Sequence, residues 1–313
     1  MINRRNFLVK FTMAVGAVSV LRPFNVFADA GTKHPVLPGT DVMTILHTAN
    51  IKGQWAALGI GEAMAGLGGL QNISQKITEL KKEVPSILVI DAGNMTGRRQ
   101  TNEERLLIYK KASRAGYDVI VPGRTDLVNG AGSLAELVKE NNLHVILADY
   151  PSTTEGALLP YSVVRKGKTR IGIINAGQTA LKGVQSTSIL QASGVLNQTA
   201  RRLRSAKKCT LVICVVQSSS QKCLELACLS DGIDVVVSAA DKTSLHNTQI
   251  VRNKSNHEVI ISYAGAKGAM MSRMDLTFNE NGEKIKVAST AIFAGAGNET
   301  YASILKRHAV YNA

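Results

Sequence analysis

The residues of this chain that could do chemistry stand just after apolar runs. ILHTANIKGQ (45–54) carries His47, Asn50 and Lys52; DAGN (91–94) carries Asp91 and Asn94; PGRTD (122–126) carries Arg124, Thr125 and Asp126. LVICVVQ (211–217) ends in Gln217, and SAADKT (238–243) carries Ala240, Asp241 and Lys242. A hydrolase that works with two cations wants carboxylates and imidazoles at such strand ends, where the ions can share and activate a water. Asn50, Asn94 and Gln217 instead offer amide oxygens, which coordinate weakly. A charged lysine has no lone pair to give, and alanine gives nothing. The same positions suggest a second chemistry. Lys52, Arg124 and Lys242 could attract a phosphate or nucleotide anion directly, with the planar fork of Arg124 matching phosphate oxygens. The alternative is a solvated basic surface. Acid–base groups near these positions are His47, Asp91, Asp126 and Asp241. His246 and His257 read as surface residues of late loops, and Trp55 as local packing, a lid, or a stacking surface.

These residues need a scaffold that ends several strands at one edge. Apolar stretches at 42–47, 86–91, 117–121, 143–147, 211–216 and 233–237 read as strands. Helical patterns fall at 69–82, 102–115, 133–140 and 197–207, the first entered through the glycine-rich GLGG. Hairpins are expected at 161–165 with 169–175 around Lys166-Gly167-Lys168, and at 270–278 with 284–291 around NENG, with a further strand at 258–263. The fold class is α/β: two mixed β-sheets packed as a sandwich with flanking helices, in four layers. In such folds function gathers beyond the carboxyl ends of the strands. The loops after His47, Asp91, Val121, Val216 and Val237 are those that carry the residues named above.

Length and composition set the frame. The 313 residues are 45% hydrophobic but only 4% aromatic, so the core must be largely aliphatic. The formal charge is +14, with 37 basic against 23 acidic residues. That balance favours anionic partners, but no basic run is interleaved with aromatics, so nucleic acid is not an expected partner. Residues 1–30 read as a twin-arginine-type signal peptide: Arg4-Arg5, an apolar stretch too short to cross a bilayer, then VFADA (26–30) with small residues at cleavage-site spacing, so that the mature chain is expected to begin near Asp29 or Gly31. The expectation is export to the periplasm or beyond, with residues 31–313 as a single domain whose core spans about 42–291. No later segment reads as a membrane span. Cys209, Cys214, Cys223 and Cys228 share one window, at spacings that match no common zinc pattern, and read as core thiols.

Six marks in order carry a resemblance. HTANIKG stands against H-T-N-D-x-H-G, GLGGL before a helix, DAGN against D-A-G-D, and GYDVIVPGRTD against G-Y-D followed by G-N-H-E/D. LVICVVQ stands against a strand ending in S-H, and GIDVVVSAADKT against G-I-D followed by G-G-H-S-H-T. Over about 42–291 the chain resembles the metallophosphoesterase (calcineurin-like) domain of the secreted bacterial 5'-nucleotidase and UDP-sugar hydrolase family.

The resemblance implies the four-layer fold and phosphoester hydrolysis with two divalent metal ions. It also implies that the ligand positions are Asn50, Lys52, Asn94, Arg124, Thr125, Gln217, Ala240 and Lys242 in this sequence, none of them a carboxylate or imidazole. The expectation is therefore an exported, non-catalytic member acting as a binding or accessory module, with no metal cofactor. The alternatives are a metal-free anion or nucleotide site at Lys52, Arg124 and Lys242, and a phosphoester hydrolase with an altered site. Many relatives carry a second, nucleotide-recognising domain; none is expected within this sequence, and it is expected to be either on a separate protein partner or absent.

Overall fold

A computed structural model of the protein describes residues 39–60, 62, 64–141, 143–148, 158–176, 186–239, 248–295 and 304. The expected signal peptide and the expected site residues Ala240, Asp241, Lys242 and His246 lie outside the described residues.

Two mixed sheets form the centre. The first has the order β13-β12-β1-β2-β3-β4-β5. Its strands are β1 (Asp41–Thr48), β2 (Leu88–Asp91), β3 (Val119–Ile120), β4 (Val145–Ile146), β5 (Leu158–Leu159), β12 (Met270–Phe278) and β13 (Lys284–Phe293). β1 to β5 run parallel, while β12 joins β1 antiparallel and pairs with β13. The second sheet has the order β10-β11-β9-β8-β7-β6. It is built from β6 (Ser162–Lys166), β7 (Thr169–Ala176), β8 (Leu211–Val216), β9 (Val235–Ser238), β10 (Gln249–Arg252) and β11 (Glu258–Tyr263). β7, β8, β9 and β11 are parallel neighbours. The hairpin turns are those the residues call for: Gly167 (φ 56°) closes β6–β7 and Gly282 (φ 78°) closes β12–β13.

Three apolar layers hold the stack together. Between the sheets, Met43, Ile45, Leu88 and Ile90 from the first pack with Ile171, Ile213, Val215 and Val235 from the second. Among the described residues no aromatic side chain is fully buried in that layer, in keeping with the low aromatic content. Each fully buried aliphatic side chain contributes about 1.5–3 kcal/mol. Helices α1 (Gly69–Glu83), α2 (Asn102–Ala115) and α3 (Gly130–Asn141) cover the outer face of the first sheet through Ile73, Ile77, Ile108 and Leu134. Helices α4 (Ser186–Ser205) and α5 (Ser220–Leu229) cover the second through Leu196, Leu203, Cys223 and Leu226. The order is therefore helix, sheet, sheet, helix.

The expected helix over 197–207 begins eleven residues earlier, at Ser186. Gly194 and the exposed Leu190 and Val195 blur the periodicity of its first half. β3 and β4 are short because their ladders comprise only one or two residue pairs. β5 and β10 had no strong pattern: one is two residues long, and the other mixes Gln249 and Arg252 with two aliphatics. All four cysteines are buried and free. Burial pushes the Cys214 thiol far up and that of Cys223 to about 11, and Cys223 Sγ lies 3.2 Å from Ser238 Oγ. These are packed thiols rather than reactive ones.

Candidate functional site

The carboxyl ends of β1, β2, β3, β8 and β9 meet at one edge, and hydrogen bonds tie their loops together. After β1 the chain takes two left-handed residues, Asn50 (φ 55°) and Lys52 (φ 54°). A non-glycine residue there costs of order 1 kcal/mol and persists only where its surroundings hold it. Here the loop after β2 does so. The amides of Asn50, Lys52 and Gly53 donate to the carbonyls of Gly93, Asn94 and Met95, each at 2.8 Å. Gly93 (φ 121°) turns the second loop, and any Cβ there would collide with the side-chain amide of Gln217. Asn94 follows with φ 58°.

The side chains on the floor of this edge are satisfied by one another. Asn94 Nδ2 donates to Asn50 Oδ1 at 2.7 Å, and Asn50 Nδ2 points at the Ala239 carbonyl, 3.5 Å away, beyond β9. Asn94 Oδ1 accepts from the backbone amide of Thr125 at 3.0 Å, and the Thr125 hydroxyl, 3.1 Å from the same oxygen, donates to the Thr96 carbonyl at 2.6 Å. Gln217 Nε2, at the end of β8, points to the carbonyls of Ala92 (2.8 Å), Pro122 (2.8 Å) and Val121 (3.2 Å). Asn50 is 1% exposed and Asn94 8%. The floor is thus a closed lattice joining five loops and both sheets.

Under the floor lies a second set of polar groups. Asp126 accepts from the amides of Met95, Thr96 and Gly123 and from the Thr96 hydroxyl. The Arg105 side chain, from α2, donates to the carbonyls of Gln100, Gly97 and Thr125 and to Thr96 Oγ1. It fastens the loop after β2 to the loop after β3. Asp91 accepts from Thr48 Oγ1 at 2.7 Å and from the Gly93 amide at 2.9 Å. Burial raises the pKa of both aspartates, and the Asp126 charge pushes Asp91 further. His47 is fully buried, its Nε2 2.8 Å from Ser262 Oγ. Of the acid–base groups expected near the site, His47, Asp91 and Asp126 are therefore packed into the scaffold rather than displayed in the cleft.

The rim is different in kind. Lys52 and Arg124 are exposed. Between them stands the turn Gly97–Gln100, with Arg98 and Arg99 exposed at its tip. A Cβ on Gly97 would lie 2.9 Å from the Lys52 carbonyl, and one on Gly53 would strike the Gln100 side chain, so the two turns touch. Arg98 and Arg99 carry no mark in the sequence that separates them from any other surface pair; only their place beside Lys52 does. Farther along, Trp55 is 36% exposed with the Lys111 ammonium 3.4 Å from its ring centroid. His257 is exposed beyond β10, away from these loops. Among the described residues no group of three or more His, Cys, Asp or Glu side chains is placed to hold a metal ion.

No family model matches the chain. It is 24% identical to the snake venom 5'-nucleotidase of Gloydius brevicauda over 300 residues, covering 82% of this chain and 49% of that protein. It is 23% identical to human 5'-nucleotidase over 280 residues, covering 78% and 48%. The chain thus spans about half the length of the curated relatives it matches. Among solved structures, the 5'-nucleotidase precursor of Thermus thermophilus superposes with a TM-score of 0.69 at 17% identity, over 87% of this chain and 58% of that one. The calcineurin-like phosphoesterase YfkN of Bacillus subtilis superposes at 0.59 and 15%, over 87% and 97%. The chain is thus distantly similar in sequence to 5'-nucleotidases, and its fold is that seen in 5'-nucleotidase and calcineurin-like phosphoesterase structures.

Proposed function

We propose that this protein is a non-catalytic module on the 5'-nucleotidase fold, a scaffold that binds rather than hydrolyses. The observation that carries this reading is the Asn50–Asn94–Thr125 chain of hydrogen bonds. Two divalent cations need open carboxylate, imidazole or amide oxygens converging on them. Here the oxygens of Asn50 and Asn94 already accept protein hydrogen bonds, Gln217 directs its amide nitrogen at three carbonyls, and Lys52 offers no lone pair. These residues do not fit a dinuclear centre. A hydrolase built on Asp91, Asp126 or His47 is disfavoured by their burial and by the hydrogen bonds each makes. The test is turnover of nucleoside monophosphates and bis-p-nitrophenyl phosphate with Mn²⁺ present. The expected rate is that of a blank, and metal-dependent release of phosphate above it would overturn the reading.

A second reading, that the mouth holds an anion, is favoured by Lys52 and Arg124 standing exposed on either side of Asn94. Lys242 is the third residue it names. Export by the twin-arginine route belongs to the same proposal and rests on residues 1–30 alone. The double substitution Arg4→Lys with Arg5→Lys should leave precursor in the cytoplasm, and normal export of it would rule out the route.

A further inference from the structure

We infer that the basic rim is a site for a pyrophosphate-class anion, a chain of two or more bridged phosphates, rather than for a single phosphate. This rests on the anion reading of the mouth and extends it to Arg98 and Arg99. Four cations stand on three adjacent turns: Lys52, the pair Arg98-Arg99, and Arg124. Among the described residues none of the three arginines makes an ion pair. The exposed acids nearest in the chain are Glu103 and Glu104, in the first turn of α2. Glu104 is already engaged with the Thr101 amide in the capping box.

The turns are held side by side from below. Arg105 donates to Gly97 O, next to Arg98, and to Thr125 O, next to Arg124, while Gly97 abuts the Lys52 carbonyl. The rim is therefore built rather than a chance gathering of surface charge. Four like charges on separate turns repel less when spread than when focused on one point. A single phosphate can accept from several cations only where they converge on one point, whereas a phosphate chain can present oxygens to cations carried on separate turns. Nothing in this requires metal. Nucleoside diphosphates and inorganic oligophosphates share the chemistry.

Equilibrium titrations at low salt with EDTA present test the proposal on the full chain, using orthophosphate, AMP, pyrophosphate, tripolyphosphate and ADP. Pyrophosphate, tripolyphosphate and ADP should bind about tenfold or more tighter than orthophosphate and AMP, and weaken as salt rises. Arg98→Ala with Arg99→Ala should bring the three tighter ligands down about tenfold and leave orthophosphate within about threefold. Both arginines are exposed, so an unchanged melting temperature without ligand shows that the variant folds. ADP equal to pyrophosphate would mean that the phosphates alone are read, and ADP tighter that a nucleoside is read as well; each supports the site. Equal affinity for AMP and ADP, or full pyrophosphate affinity in the double variant, would overturn it. Turnover assays decide the non-catalytic reading separately, so either proposal can fail without the other.

Discussion

The floor and the rim of the cleft solve the same problem in opposite ways. Both occupy loops at the carboxyl ends of the strands, and both are rich in polar side chains. On the floor, Asn50, Asn94 and Gln217 pair with one another or with backbone carbonyls, and the first two are almost wholly buried. On the rim, Lys52, Arg98, Arg99 and Arg124 are exposed. A buried polar group must find a protein partner or cost about 1–3 kcal/mol, whereas an exposed one has water. The contrast assigns stability to the floor and its supports, and binding to the rim.

The most damaging change should be beneath the floor. Arg105→Ala removes four hydrogen bonds and leaves the carbonyls of Gly97, Gln100 and Thr125 without that donor. The expected loss is about 3 kcal/mol in denaturant unfolding. Gln217→Ala should come next, at about 1–2 kcal/mol, because three carbonyls lose a shared donor.

Asp91 supplies a pH-dependent effect with a definite sign. Its folded pKa lies above the ordinary carboxylate value of about 4, so the folded state holds the proton more tightly than the unfolded one. The stability this contributes is complete below about pH 4 and is lost as the pH rises toward the folded value. An amide can still accept from the Gly93 amide and donate to Thr48 Oγ1, so Asp91→Asn should fold. Measured side by side, the wild type should lose stability relative to that variant as the pH rises above about 4. A parallel pair of stability curves would contradict the assignment.

The smallest effects belong to the rim. Lys52→Ala and Arg124→Ala should change stability by no more than about 0.5 kcal/mol, and without ligand can raise it by relieving repulsion. If Arg124→Ala destabilised as much as Gln217→Ala, the division between floor and rim would fail.

Much of this layout was legible in the sequence, for reasons that differ by element. α2 is bounded by its own signals, Thr101 with Glu104 at the start and Gly116 in the left-handed conformation at the end, and those bounds hold at 102–115. β8, β11 and β12 are uniform or alternating apolar runs, and they too keep their expected ends. The two-sheet sandwich followed from the change between parallel crossovers and hairpins. What sequence reasoning missed depends on contacts between segments distant in the chain. Arg105 reads as an ordinary helical arginine until its guanidinium is seen between two loops. Arg98 and Arg99 acquire meaning only because Gly97 touches Lys52. His47 looks available in ILHTANIKGQ, yet alternation along β1 turns it inward, where it meets Ser262. No spacing in the sequence could show that Asn50 and Asn94 bond to each other.

Metal content tests the central claim most directly. The purified full chain, incubated with excess Mn²⁺, Fe²⁺ or Zn²⁺ and then dialysed, should retain no stoichiometric metal by elemental analysis. Two tightly held divalent ions per chain would mean that the Asn50–Asn94–Thr125 lattice opens to admit them, and would contradict the account.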